Sequence, residues 1–124
     1  MTMLGGCLCG AVRYAADGLP KFVTACYCTD CQKESGAGHL TLAAFPEAAV
    51  RVTGETRSYE GKADSGNAVL RTFCPGCGTT LFGQPGSLPG MLMIRAGTLD
   101  DSAGLTTSIA IYGDSARDWD QPPA

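Results

Sequence analysis

Seven cysteines fall into three groups: Cys7-Leu8-Cys9, Cys26-Tyr27-Cys28-Thr29-Asp30-Cys31 and Cys74-Pro75-Gly76-Cys77-Gly78. Thiols this close together suit a borderline-soft metal ion such as zinc, which binds thiolates strongly and imposes no redox chemistry on them. In the last group Pro75 fixes one dihedral and the two glycines permit positive φ, the backbone needed to wrap a loop around an ion. In the first, C-x-C on an extended strand points both side chains to one face, so a small bend brings both sulfurs onto one ion. Joining Cys7 and Cys9 to Cys74 and Cys77 gives a four-thiolate set, the closed tetrahedral coordination of structural zinc. Such a site would staple the first hairpin to a late one.

Cys26, Cys28 and Cys31 then remain, one ligand short of a tetrahedron. Structural zinc closes its shell with protein, whereas reactive zinc keeps a position for water or substrate, so four plus three uses every thiol. Cys31 would sit in the first turn of a short helix, where the dipole favours a thiolate and eases deprotonation. Three thiolates place more negative charge on the ion than histidine ligands would, which weakens its power to activate water. The better match is an exogenous thiol held as thiolate beside an electrophilic carbon such as an aldehyde. Two plainer readings stand beside this. The first and third groups could be disulfides or buried thiols, and the second could be closed by another side chain or serve stability alone.

Other chemically capable residues are read more plainly. His39, the only histidine, begins a strand after the helical turn and is expected to be an ordinary, partly buried residue and not a ligand. Arg13, Arg71 and Arg95 could reach a substrate carboxylate, but a single strand arginine is more often solvated or ion-paired. Tyr112 and Trp119 could wall a pocket, though late aromatics in a small β domain more often complete the core. Lys33 and Glu34 are expected only to solvate the helical turn.

The elements that must position these groups are short. Of 124 residues, 17 are glycine and seven proline, and no long helical period survives between them. The fold class is mostly β, in one domain over residues 1–124. Expected strands run from Ala11 to Ala16, Phe22 to Tyr27, Leu40 to Phe45, Arg51 to Gly54, Val69 to Cys74, Thr80 to Phe82, Met91 to Ala96 and Thr106 to Tyr112. One helical turn is expected over Thr29–Ser35, with Thr29 as its cap, Gln32 reaching back, and Gly36 and Gly38 ending it. The tail Asp118–Ala124 is expected to fray.

With 44% hydrophobic and 17% charged residues the composition is that of a folded globular protein. The net charge of -3 and the scattered lysines and arginines disfavour nucleic acid or an anionic membrane as partner. The N-terminus lacks a signal-peptide pattern, and the apolar stretch Leu40 to Val50 is broken by Pro46 and Glu47, so no membrane span is expected. Seven cysteines in such a chain suit a reducing, cytoplasmic compartment.

The chain resembles the glutathione-dependent formaldehyde-activating enzyme family, which also contains centromere protein V. The likeness rests on Gly6-Cys7-Leu8-Cys9-Gly10 with Val12 and Tyr14, on Cys26 to Lys33 followed by Gly36, on Gly54, and on Phe73-Cys74-Pro75-Gly76-Cys77-Gly78-Thr79. It implies a β-tent zinc-binding fold, Cys7, Cys9, Cys74 and Cys77 on structural zinc, and Cys26, Cys28 and Cys31 on a second zinc. It also implies carbon-sulfur lyase activity, the reversible addition of glutathione to formaldehyde to give S-hydroxymethylglutathione. Many relatives carry histidine where this chain has Tyr27 and, counting back from Trp119, Ala110. The alternative function is a non-catalytic, zinc-stabilised binding or scaffold module of the same fold.

Overall fold

The run Leu40-Thr41-Leu42-Ala43-Ala44-Phe45 lacks the alternation of a strand with one wet face, and residues 42–45 are all buried. Such a strand must be covered on both sides. In the computed structural model, which describes residues 1–123, it is the third strand of a seven-stranded sheet.

The elements in chain order are β1 (Thr2–Gly6), β2 (Arg13–Asp17), β3 (Phe22–Cys26), α1 (Thr29–Ser35), β4 (Leu40–Pro46), β5 (Val50–Thr53), β6 (Arg57–Lys62), β7 (Ala68–Phe73), β8 (Thr80–Pro85), β9 (Met91–Arg95) and β10 (Ile109–Ile111), with two single 3-10 turns between them and a third after β10. The protein is mostly β, in two sheets. The smaller has the order β1-β2-β5 and the larger β10-β3-β4-β9-β8-β7-β6. Among the described residues every pairing is antiparallel except β10 beside β3. No described helix is long and apolar enough to cross a membrane.

Strand pleating sends β4 and β9 to two destinations. Ala43, Phe45, Leu92 and Ile94 join Val12, Tyr14, Leu81 and Phe82 in the main core, while Leu42, Ala44 and Met93 pack on the opposite face with Cys26. Tyr14 and Phe82 meet edge to face, their centroids 5.1 Å apart.

Sequence patterning misses two strands. β6 is a sheet edge whose residues are nearly all exposed, so no apolar alternation marks it. β1 ends in Gly5-Gly6, which reads as a turn; yet a Cβ on Gly5 would stand 2.3 Å from the Tyr14 hydroxyl, so the glycine belongs inside the strand. The expected strand Ala11–Ala16 begins only at Arg13, because Val12 exchanges hydrogen bonds with Cys7. Thr106–Tyr112 shrinks to Ile109–Ile111.

Helix α1 is capped by Cys28 and not by Thr29: the Cys28 sulfur accepts from the Cys31 amide at 3.3 Å. Gln32 does reach back to the helix start, though to the Tyr27 carbonyl before the cap and not to a cap amide. It is buried, its amide donates to the carbonyls of Tyr27 and Ser115, and its oxygen accepts from Arg117 Nε at 2.7 Å. Those bonds tie the chain's last part to the helix. Asp120, inside the segment expected to fray, is held by His39, whose Nδ1 lies 2.5 Å from its carboxylate; Ala124 of that segment lies outside the described residues. Trp119 completes no core: 71% of it is exposed.

Candidate functional site

The seven cysteines are free thiols and gather in two groups. In each, the sulfurs lie within 4.8 Å of one another. Cys7 and Cys9 leave the β1–β2 connection, Cys74 and Cys77 the β7–β8 connection. Cys7 and Cys9 do not lie on an extended strand as expected. They form a tight turn closed by a bond from the Gly10 amide to the Cys7 carbonyl, matched by one from Gly78 to Cys74. Gly10 and Gly78 have φ of 82° and 79°, which a side chain would strain.

The sulfur of Cys9 lies 3.6 Å from that of Cys7 and 3.8 Å from that of Cys74. A tetrahedron of thiolates around zinc, with Zn–S of about 2.3 Å, requires sulfurs about 3.8 Å apart. The donor set fits such an ion. Amide and hydroxyl groups already face the sulfurs: Val12 N–H donates to Cys7, and the Thr79 hydroxyl lies 3.2 Å from Cys77. The Thr79 hydroxyl, with the amides of Thr79 and Cys9, pulls the Cys77 thiol down to about 5.

Cys26 ends β3, Cys28 caps α1 and Cys31 lies in its first turn. Here the acidic thiol is Cys26 and not Cys31. A hydrogen bond from Cys31 leads the causes that bring Cys26 down to about 6, and the positive charge of Arg95 adds to it. That same contact pushes Cys31 far up, and burial raises Cys28. One thiolate therefore discourages the next, and a cation is needed to hold all three deprotonated.

Glu34, expected only to meet solvent, is the structural centre of this region. It lies one turn after Cys31 and its side chain is 9% exposed. Its carboxylate accepts from Arg71 Nε at 2.8 Å and from Arg95 Nε at 2.8 Å, with Arg95 Nη2 also upon it. The third nitrogen of Arg95, Nη1, donates to the Met93 carbonyl. Gly83 leaves room for this guanidinium, since a Cβ there would come within 2.7 Å of Nη1. Arg71 and Arg95 are thus ion-paired side chains of the site, while Arg13 pairs with Asp100 elsewhere. No sequence pattern marks the pairing, because its members lie 37 and 61 residues apart.

The two sulfur groups differ in what lies beside them. Cys26, Cys28 and Cys31 line a cavity of about 400 Å³, together with the Glu34 ion pairs and apolar side chains of β3, β4, β7, β9 and β10. Cys7, Cys9, Cys74 and Cys77 do not line it. Tyr112 does line its mouth, 64% exposed and with a left-handed φ of 58°. Tyr27 and Ala110 do not. Tyr27 is buried and stacks on His39 at 4.6 Å, and Ala110 is paired in register with Ala25. Among the described residues, no imidazole lines the cavity.

Comparison with known proteins agrees with this geometry. The model of the glutathione-dependent formaldehyde-activating enzyme family matches residues 2–115. No curated protein matches. Among solved structures, a crystal structure of a Rhodobacter sphaeroides protein superposes with a TM-score of 0.67 at 22% identity, covering 87% of this chain and 99% of the other. At that identity the likeness is one of fold.

Proposed function

The chain belongs to the glutathione-dependent formaldehyde-activating enzyme family, and from that premise we propose that it is a zinc-dependent carbon-sulfur lyase acting on thiol–aldehyde adducts. The observation that carries the reading is the unequal placement of the sulfurs: three face a cavity and four do not.

In this reading Cys7, Cys9, Cys74 and Cys77 hold a structural zinc and clamp two hairpin turns together. Cys26, Cys28 and Cys31 hold a second, which when bound supplies the charge that keeps a cosubstrate thiol deprotonated. Glutathione, the thiol that the family's description names, is the first cosubstrate to test. The protein's own residues orient and exclude. Cys28 fixes the start of α1, and Glu34 holds the far end of that helix against β7 and β9, so the three sulfurs keep their spacing while substrate enters. The apolar wall keeps water from the reacting carbon. In the forward direction the thiolate sulfur bonds to the carbonyl carbon, the π pair moves to oxygen, and that oxygen takes up the proton the thiol released. Cleavage is the reverse. With no imidazole on the described wall, water entering at the mouth carries that proton.

Residues 1–124 act as one domain in this scheme, in a reducing compartment that suits seven free thiols. The test is thiol-dependent aldehyde consumption by zinc-loaded protein. Loss of turnover in Cys28→Ser with the fold intact supports the proposal. Absence of turnover with two equally inert metals sinks it and leaves a scaffold module.

A further inference from the structure

The cavity beside the three-cysteine group is larger and greasier than a one-carbon aldehyde requires, and its wall carries more carboxylates than guanidiniums. Resting on the function proposed above, we infer that the substrate carries an apolar, uncharged body, as an alkyl or aryl thiol or aldehyde would, and that this body fills the cavity next to Cys26, Cys28 and Cys31.

Volume is the first ground. About 400 Å³ falls within the roughly 300–1,000 Å³ typical of small-molecule pockets, whereas formaldehyde alone would leave most of it to water. The wall is the second. Phe22, Leu42, Val69, Met93, Ile109 and Ile111 line it from five strands. Leu88, Ile109, Ile111 and Tyr112, between 36% and 64% exposed, continue the apolar surface to the mouth. Without an occupant these side chains meet water, and covering them is favourable.

Charge is the third. The ionisable side chains on the wall, apart from the thiols, are Asp30, Glu34 and Asp64 against Arg71 and Arg95. Every nitrogen of Arg95 has an acceptor, and Arg71 gives its Nε to Glu34, which leaves Nη1 and Nη2 of Arg71 as the donors not yet engaged. A carboxylate brought here would lose water and meet a wall with three carboxylates against two guanidiniums, with only the free nitrogens of Arg71 to receive it, which is costly. Lys33 and Lys62 do not line this cavity; they line an adjoining depression that shares Asp30, Glu34 and Arg71 with it. Glutathione, with two carboxylates and one ammonium, would have to leave the apolar wall for that depression to find a cation for each carboxylate.

The experiment is calorimetric titration of the zinc-loaded chain with straight-chain thiols from propanethiol to hexanethiol, with aldehydes from propanal to hexanal, and with glutathione. The body predicted here tightens binding about fourfold for each added methylene. The series that climbs identifies which partner carries it, and hexanethiol or hexanal should bind about tenfold or more tightly than glutathione. Ile109→Glu and Leu88→Glu, both at the rim, should flatten the climbing series while the melting temperature holds. Should both series be flat while glutathione binds tightly and loses affinity in Lys62→Ala, the lyase reading survives and the apolar body is wrong. If the loaded protein binds neither thiols nor aldehydes, both fall together.

Discussion

The carboxylate of Glu34 accepts a hydrogen bond from Arg71 Nε at 2.8 Å, and each of the two residues stands close along the chain to a different cysteine group. Glu34 stands three residues beyond Cys31 on α1; Arg71 stands three residues before Cys74, on the strand that delivers Cys74 to its turn. Their contact is a physical link between the two sulfur groups, reinforced by Arg95 on the same carboxylate.

Glu34→Ala leaves two largely buried guanidiniums without their anion, at a cost of about 3–5 kcal/mol. Glu34→Gln, whose amide oxygen still accepts, should cost less. Urea unfolding of the two variants beside the parent measures both, and equal stability of all three would show that the link carries no weight.

A helix that begins on a sulfur gives a way to separate capping from chemistry. Cys28→Ser keeps an acceptor for the Cys31 amide, so its stability should stay close to the parent's, whereas Cys28→Ala should lose about 1 kcal/mol. Turnover should vanish in both. A serine variant that keeps turning over would remove Cys28 from the proposed second metal site.

Metal content should approach two zinc ions per chain, and the ion on Cys26, Cys28 and Cys31 should leave first under a mild chelator because its site faces the cavity. Elemental analysis against chelator time reads this directly. Loss of the two ions at one rate would contradict the division into an open and a closed site.

Gly83→Ala places a methyl group 2.7 Å from Arg95 Nη1 and 2.9 Å from Nη2. The guanidinium must shift off Glu34, at a cost of about 1–3 kcal/mol. Because Arg95 helps to bring the Cys26 thiol down to about 6, iodoacetamide should modify the metal-free variant more slowly than the metal-free parent at about pH 5, where the thiolate fraction limits the rate.

Asp17 offers a control far from the sulfurs. Hydrogen bonds from Arg51, then Thr2, hold its carboxyl below the usual value of about 3.9. A depressed carboxylate contributes stability above its unfolded pKa and loses it as pH falls through the folded one. The melting temperature of the parent should therefore exceed that of Asp17→Asn at pH 7, and the gap should close below about pH 4. A gap that widens in acid would reverse the sign.

How much of this could be read from the chain depends on distance along it. The unbroken apolar run of β4 and the knuckle around Cys74 and Cys77 are local patterns, and both are legible. So is the division of seven thiols into four and three, because spacing alone makes one pair and one trio awkward partners. The Glu34 ion pairs are not, since a charged residue after Cys31 looks like a solvated one until the sheet brings Arg71 and Arg95 over it. Nor does sequence reveal that Cys28 caps α1, because cysteine is not a residue usually sought at that position. The exposed edge β6 and the glycine-bearing β1 fail for related reasons: one has no buried face to betray it, and the other uses glycine for a close approach that only the fold creates.

The division of β4 between two faces has a bearing on descent. Ala43 and Phe45 belong to the core, and their neighbours Leu42 and Ala44 to the other side, two of a small set behind the sulfurs of Cys26, Cys28 and Cys31. Heritable change at alternate positions can therefore recast what the molecule accepts while the framework beneath is left alone, so a lineage built on this plan can diversify its chemistry without first surviving a loss of foldability.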